Sequence, residues 1–583
     1  MSQEQPDVVI DKAKSSWSDL WTKEDYWAIW LGLGFCFLAL YLYVFSYSDD
    51  SRAKAKEAIA PFQATMKAEA AKAPFKTIEW YKAQSAKGKV VKAEPPALAK
   101  TIMDYMKRPG AWSDNPIKAF LVTPEQAQAA AEKAKPAAEE AAKKVEAALA
   151  AAKTAQDAAA AANYQDVNLN KEADAKISDW RAAVRKAKKA EDKTKAKPMN
   201  LFTTLPVMFL ALAVMFSIGI AFMGQSVPKF IIGFVGVFIF TVLAMAMGSQ
   251  ATMKYWGVST EVCAILVGML IANTIGTPNW MKPALQVEYY IKTGLVLLGA
   301  TILMDKIIAI GTPGLFVAWV VTPIVLVCTY IFGQKVIKMP SKTLNIVISA
   351  DMSVCGTSAA IATAAACRAK KEELALSIGI SLLFTAIMMI VMPIVIKALG
   401  MPEVLGGAWI GGTIDATGAV AAAGAFLGEK AMYVAATIKM IQNVLIGVTA
   451  FCVAVYWVTK VDRVEGHEVN LMEIWHRFPK FVLGFLAASI IFSYISADLG
   501  SDVSKALISG GTNKFTGGLR AWCFTLSFAA IGLGTDFREL AQYFKGGKPV
   551  ILYVCGQSFN LALTLTMAYV MFYIVFPHIT ATI

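Results

Sequence analysis

Charge is scarce in this chain: Asp, Glu, Lys and Arg make up 17% of its 583 residues, against about 25% in an ordinary soluble domain. Histidine is scarcer still, limited to His467, His476 and His578. No HExxH, no CxxC pair and no Cys/His cluster occurs, so the ligand patterns of a zinc or haem site are missing. The phosphate loop GxxxxGK[ST] is absent as well, which leaves an ion or substrate gradient as the energy source for any transport. The eight cysteines (Cys36, Cys263, Cys328, Cys355, Cys367, Cys452, Cys523 and Cys555) fall in or beside apolar stretches and read as small buried hydrophobes. What the chain has in quantity is apolar length, with 56% hydrophobic residues and a mean hydropathy of +0.50. That is the composition of a membrane protein.

The net charge of +13 belongs largely to residues 47–200, where Lys and Glu are interspersed with Ala as on a solvated helical surface. Such an origin argues against nucleic acid as a partner. The expected organisation is a polar tail over 1–26, a first transmembrane helix over 27–46 that reads as a retained anchor, an extramembrane helical domain over 47–200, an additional transmembrane helix over 201–230, and a core over 231–583. Within 47–200, residues 51–75 and 123–162 are rich in the best helix formers, 163–170 breaks the pattern, and a second helix follows over 171–195. This predicts a helical hairpin, with Trp80, Tyr81, Tyr105, Trp112 and Phe120 able to supply a small core. The competing expectation is a stalk, because Ala-rich faces bury little area.

From Thr203 onward about twelve further apolar segments follow in quick succession, giving about 13 crossings in an all-α membrane protein. Lys335, Lys338, Lys342, Lys460, Arg463, Arg477, Lys480, Arg538, Lys545 and Lys548 gather on the side that holds the N-terminus. The positive-inside rule then puts the N-terminus in the cytoplasm and 47–200 outside, although the basic run 185–197 pulls the other way.

A charged residue at mid-membrane costs about 2.5–3.5 kcal/mol on insertion scales. Asp351, Asp415 and Lys439 therefore stand out as candidates for charge handling and coupling. Asp351 opens a stretch in which Gly356, Thr357 and Ser358 suit a break followed by a new helix start, with Thr357 or Ser358 as its cap. Broken helices leave free N–H groups at a half-helix N-terminus, which suit an anion. Asp415 lies in a second small-residue stretch, between Gly411, Gly412 and Thr413 on one side and Thr417 and Gly418 on the other. Lys439, Gln442 and Asn443 share one helical face; the lysine suits either an ion pair with Asp351 or Asp415 or charge compensation for an anion. Asn273, Thr274, Asn345 and Ser349 read as links between helices, and Asp305 and Asp536 as solvated helix ends.

The segments 353–360 (Ser-Val-Cys-Gly-Thr-Ser-Ala-Ala) and 412–420 (Gly-Thr-Ile-Asp-Ala-Thr-Gly-Ala-Val), together with Lys439, resemble the sulfate exporter family of bacterial multi-pass membrane proteins over about 231–575. The resemblance implies a fold similar to sodium/proton antiporters, with inverted repeats, two discontinuous helices and an elevator-type core. Three departures accompany it: Asp351 stands where a small or hydroxyl residue is expected, Asp415 replaces a glutamate, and the first 225 or so residues are an addition.

Residues and resemblance together predict a secondary transporter of small anions, sulfate or a related sulfur oxyanion, in the bacterial inner membrane. Gly356, Thr357, Ser358, Thr413, Thr417, Gln442 and Asn443 form the candidate binding set, and no metal ligand or cofactor is expected beyond Na+ or H+ as coupling ion. A sodium/proton antiporter, a sodium-coupled carboxylate or bicarbonate carrier, and a membrane scaffold or sensor are the alternatives. An enzyme is not expected: Cys355 is its one nucleophile candidate and has no readable base beside it. Expected partners are the small inorganic or organic anion, the lipid bilayer, a second copy of the chain, and a protein partner for 47–200.

Overall fold

The computed structural model describes residues 16–46, 48–90, 96–255, 260–301, 304–461, 475–476, 478–538 and 547–580. Arg463, His467, Arg477, Lys545 and the side chain of Asp305, which entered the sequence reading, lie outside the described residues. Among the described residues the chain is helical apart from one antiparallel pair, Leu121–Val122 with Met199–Asn200. It divides into two compact units. One comprises Met1–Phe35, Phe209–Ser493 and Leu519–Ile583, and the other Cys36–Met208 and Tyr494–Gly518.

In the smaller unit the Ala-rich sequence forms the helices Asp49–Lys72, Pro124–Ala161 and Val167–Thr194. Thr123 and Gln126 form a capping box at the start of the long one, satisfying N–H groups that a helix start leaves unpaired. Asn163 and Tyr164 turn the chain with positive φ, and Asp166 caps the return helix. Ile78, Ala152, Ile177 and Trp180 are buried between these helices, with Phe75, Tyr81 and Leu149 packed on them. The expected aromatic core is thus only partly realised. Tyr81 joins it, whereas Trp80 lies under the Lys76 ammonium at 4.6 Å, Phe120 packs on Phe202 and Tyr105 is exposed. Asp502 ties the segment 494–518 to the same unit through Lys87 and Gln63, each at 2.6 Å.

Among the described residues eight helices are long and apolar enough to cross a bilayer: Glu24–Phe45, Leu201–Phe222, Val227–Gly248, Ile307–Ile337, Lys371–Ala398, Glu429–Val461, Phe481–Leu499 and Lys548–Val575. Many of their large apolar side chains face outward, Leu210, Ile232 and Ile574 among them. Such a surface is unfavourable in water and natural in lipid, so the chain is a multi-pass membrane protein. Cys328, Cys452 and Cys555 are exposed on such helices, which corrects the expectation that every cysteine is buried.

Two apolar stretches are interrupted. Residues 342–367 form the helix Lys342–Ala350, a wider π-type turn Asp351–Cys355, and after Gly356 the helix Thr357–Cys367. Gly356 has φ +69°, a left-handed conformation that disfavours any residue with a Cβ. Residues 403–427 form the helices Glu403–Thr413 and Thr417–Leu427, with Ile414 and Ala416 extended between them. The first of these packs tightly on Glu429–Asn443: a Cβ on Gly407 or Gly411 would lie 2.6 Å from the carbonyl oxygen of Ala431 or Ala435. The four-residue glycine spacing thus brings two backbones together, as small residues do between membrane helices.

Candidate functional site

Both interruptions free backbone groups in a region shielded from water, and each freed end finds a different solution. The C-terminal ends are satisfied by buried side chains. Lys439 Nζ donates to the Val354 carbonyl and to Gln442 Oε1, both at 2.8 Å. Gln442 Nε2 lies within donating distance of the Ser353 carbonyl at 3.0 Å and the Gly412 carbonyl at 3.3 Å, and so bridges the two interruptions. From the helix Lys548–Tyr569, Gln557 Nε2 donates to the Thr413 carbonyl at 3.0 Å and Asn560 Nδ2 to the Met352 carbonyl at 3.4 Å. A cation and amide donors placed here complement the negative ends of the helix dipoles.

The N-terminal ends are left open. Neither Thr357 nor Ser358 caps its helix, contrary to expectation; Gly356 is the capping residue and supplies no side-chain bond. Ala416 likewise supplies none for Thr417–Leu427. Both N-termini border one cavity of about 520 Å³, lined at this end by Thr357, Ser358, Ala416, Thr417 and Asn443. Asn443 Nδ2 donates to Thr417 Oγ1 at 3.1 Å, while its amide oxygen is buried without a partner. Two helix N-termini on one cavity place two partial positive charges and several N–H donors around the same volume.

The two aspartates both approach Gly356 and do not line this cavity. Asp351 and Asp415 are 0% and 1% exposed. Asp351 Oδ2 accepts from Ser377 Oγ at 2.7 Å, and Asp415 Oδ2 accepts from Ser381 Oγ at 3.1 Å and from the Tyr553 hydroxyl. The remaining oxygen of each carboxylate has no partner among the described residues. A Cβ on Gly356 would lie 3.3 Å from Asp415 Cβ and 3.7 Å from Asp351 Oδ1, so both aspartates approach the glycine.

The hydrogen bonds of Lys439 go to the Val354 carbonyl and Gln442 Oε1 rather than to Asp351 or Asp415. Thr413 and Gln442 are buried at the carbonyl ends and do not line the cavity. Asn273 donates to the Met269 and Thr535 carbonyls, and Asn345 to that of Tyr330, as links between helices. Asp536 pairs with Arg538 at 3.0 Å. Sequence reasoning missed Ser377, Ser381, Tyr553, Gln557 and Asn560. The last two repeat the three-residue spacing of Lys439 and Gln442, a polar pair on one face of an apolar helix, and that spacing was the available signal.

A family model described as "Conserved hypothetical protein 698" matches residues 232–553, which include both interruptions, both aspartates and Lys439. Two UPF0324 membrane proteins of Nitratidesulfovibrio vulgaris are 64% and 63% identical, each across the full length of both chains. The chain belongs to the UPF0324 membrane protein family. A UPF0324 membrane protein of Rhodopirellula baltica is 57% identical over 64% of this chain and 69% of its own. The printed names of these relatives name no cargo and do not use the sulfate exporter label. No solved structure matches the chain.

Proposed function

We propose that this UPF0324 protein is a secondary transporter of small anions, with sulfate or a related sulfur oxyanion as cargo, working by ion-coupled, elevator-like alternating access in the bacterial inner membrane. The observation that carries the reading is the pair of helix N-termini, at Thr357 and Thr417, that lack side-chain caps and border one cavity. An oxyanion there accepts from backbone N–H groups and from the hydroxyls of Thr357, Ser358 and Thr417. In this reading the shorter helices complete about 13 crossings, and the two interrupted stretches are the discontinuous helices of inverted repeats. Asp351 and Asp415 carry the coupling ion and Lys439 holds the carbonyl ends.

A sodium/proton antiporter, or a sodium-coupled carboxylate or bicarbonate carrier, is the second reading. It is favoured by the two unpartnered carboxylate oxygens beside Gly356, which are suitable ligands for a small cation. A thermal-shift titration of the purified protein against sulfate, sulfite, an alkanesulfonate, bicarbonate and sodium separates the two. A bound ligand stabilises by RT ln(1 + [L]/Kd), so concentration-dependent stabilisation by an oxyanion supports the first reading, and stabilisation by sodium alone replaces it with the second.

A further inference from the structure

The same cavity is also lined by charged side chains that the transport reading does not use. Lys292, on the helix Val287–Gly299, is half-buried and faces three carboxylates. Its ammonium lies 2.8 Å from Asp25 Oδ1 and 3.6 Å from Glu288 Oε2, and it also donates to Glu24. Asp25 is fixed further by the backbone N–H of Lys480, at 2.7 Å from Oδ2.

Lys292 and Glu288 lie within the stretch matched by the family model, whereas Glu24 and Asp25 precede it. The N-terminal segment therefore contributes two carboxylates to a cavity that it lines together with residues of the matched stretch. It is held there by close packing. Gly32 lies so near Val296 that a Cβ would approach its side chain to 2.5 Å. Trp21 stacks on Trp30 at 5.7 Å, and Trp27 packs on Phe222 at 5.3 Å.

A carboxylate is itself an oxyanion. The groups on Lys292 present the same sign of charge and the same kind of acceptor oxygen as a sulfate or sulfonate arriving from the cavity, and one ammonium cannot satisfy three carboxylates and a ligand at full strength. We propose that Lys292 is the cationic residue that receives the anion in this cavity, and that Glu24 and Asp25 form a tethered latch which the anion displaces. This rests on the anion-transport reading above. It goes beyond it by assigning the N-terminal helix a competitive, gating role and by naming the residue for which ligand and latch compete.

The test is calorimetric titration of sulfate, sulfite, an alkanesulfonate and bicarbonate into full-length wild type, Glu24→Gln, Asp25→Asn, the double variant, Lys292→Gln and Lys292→Arg. Removing the latch charges is expected to tighten binding about tenfold, within the range of coupled sites. Lys292→Gln should weaken binding, and Lys292→Arg should largely restore it. A purely structural ion pair predicts lower melting temperatures in the same variants with no gain in affinity. The two single substitutions keep the comparison open if the double variant folds poorly. If wild type binds an anion and neither latch variant binds it more tightly, the latch is wrong while anion transport stands. If no anion binds wild type or any variant, the transport reading itself fails.

Discussion

Lys439 donates at 2.8 Å to the carbonyl of Val354, two residues before the Gly356 break, and leaves the neighbouring buried aspartates to hydroxyl partners. The lysine therefore holds the carbonyl end of an interrupted helix, and its charge sits where the helix dipole is negative. Replacing it with methionine preserves length and removes the donor, leaving the Val354 carbonyl and Gln442 Oε1 buried without this partner. Lys439→Met is expected to lower stability by about 1–3 kcal/mol, the usual penalty for orphaned buried acceptors. Thermal unfolding of the purified variant measures this; an unchanged melting temperature would contradict the assigned role.

Asp415→Asn keeps an acceptor oxygen for Tyr553 and Ser381 and removes the charge beside Gly356. Expression and monodispersity should persist, and coupled transport in proteoliposomes should be abolished or uncoupled from the driving ion. Uptake equal to wild type, with the same ion dependence, would remove Asp415 from the coupling machinery.

Gly356→Leu forces a side chain into a positive-φ backbone conformation, at about 1–3 kcal/mol, with its Cβ 3.3 Å from that of Asp415. It should block oxyanion binding. Ser358→Ala removes one hydroxyl and leaves the helix N–H groups in place, so its loss of affinity should not exceed about 1 kcal/mol. Calorimetry on both variants checks the contrast, and the reverse order of effects would mean that side chains rather than backbone hold the ligand.

Lys480 precedes the apolar helix Phe481–Leu499 and lines the same cavity. Burial lowers its pKa to about 8, assisted by Lys23 and opposed by Asp25 and Asp19. Below that value it is cationic, and above it neutral. Sulfate affinity should accordingly fall as pH rises through about 8, because sulfate itself does not titrate there and one positive charge leaves the cavity wall. Binding curves from pH 7 to 9 should show this step in wild type and lose it in Lys480→Gln. A step of equal size in the variant would assign the titration to another group.

The interruption at Gly356 was legible because glycine, serine and threonine crowd one apolar stretch around an aspartate, and local sequence governs where a helix breaks. The shared face of Lys439, Gln442 and Asn443 was legible from helical spacing. Their partners were not, because they are set by tertiary approach. Gln557 reaches Thr413 across 144 residues, and Asn560 reaches Met352 across 208. The same limit applies to Lys292, whose carboxylates come from Glu24 and Asp25 in a distant helix. In sequence it reads only as one lysine in an apolar run. Helix capping also misled the residue-level reading: hydroxyls at Thr357 and Ser358 suggested caps, yet positive φ at Gly356 starts the helix without one.

The most direct test of the central claim is radiolabelled sulfate flux in proteoliposomes containing the full-length protein, with and without sodium and pH gradients. The account predicts saturable sulfate movement that responds to one of these gradients, is competed by other oxyanions, and is lost in Gly356→Leu. Sodium or proton movement that is indifferent to every oxyanion, with no sulfate flux above empty vesicles, would contradict it and leave Asp351 and Asp415 as the ligands of a cation antiporter.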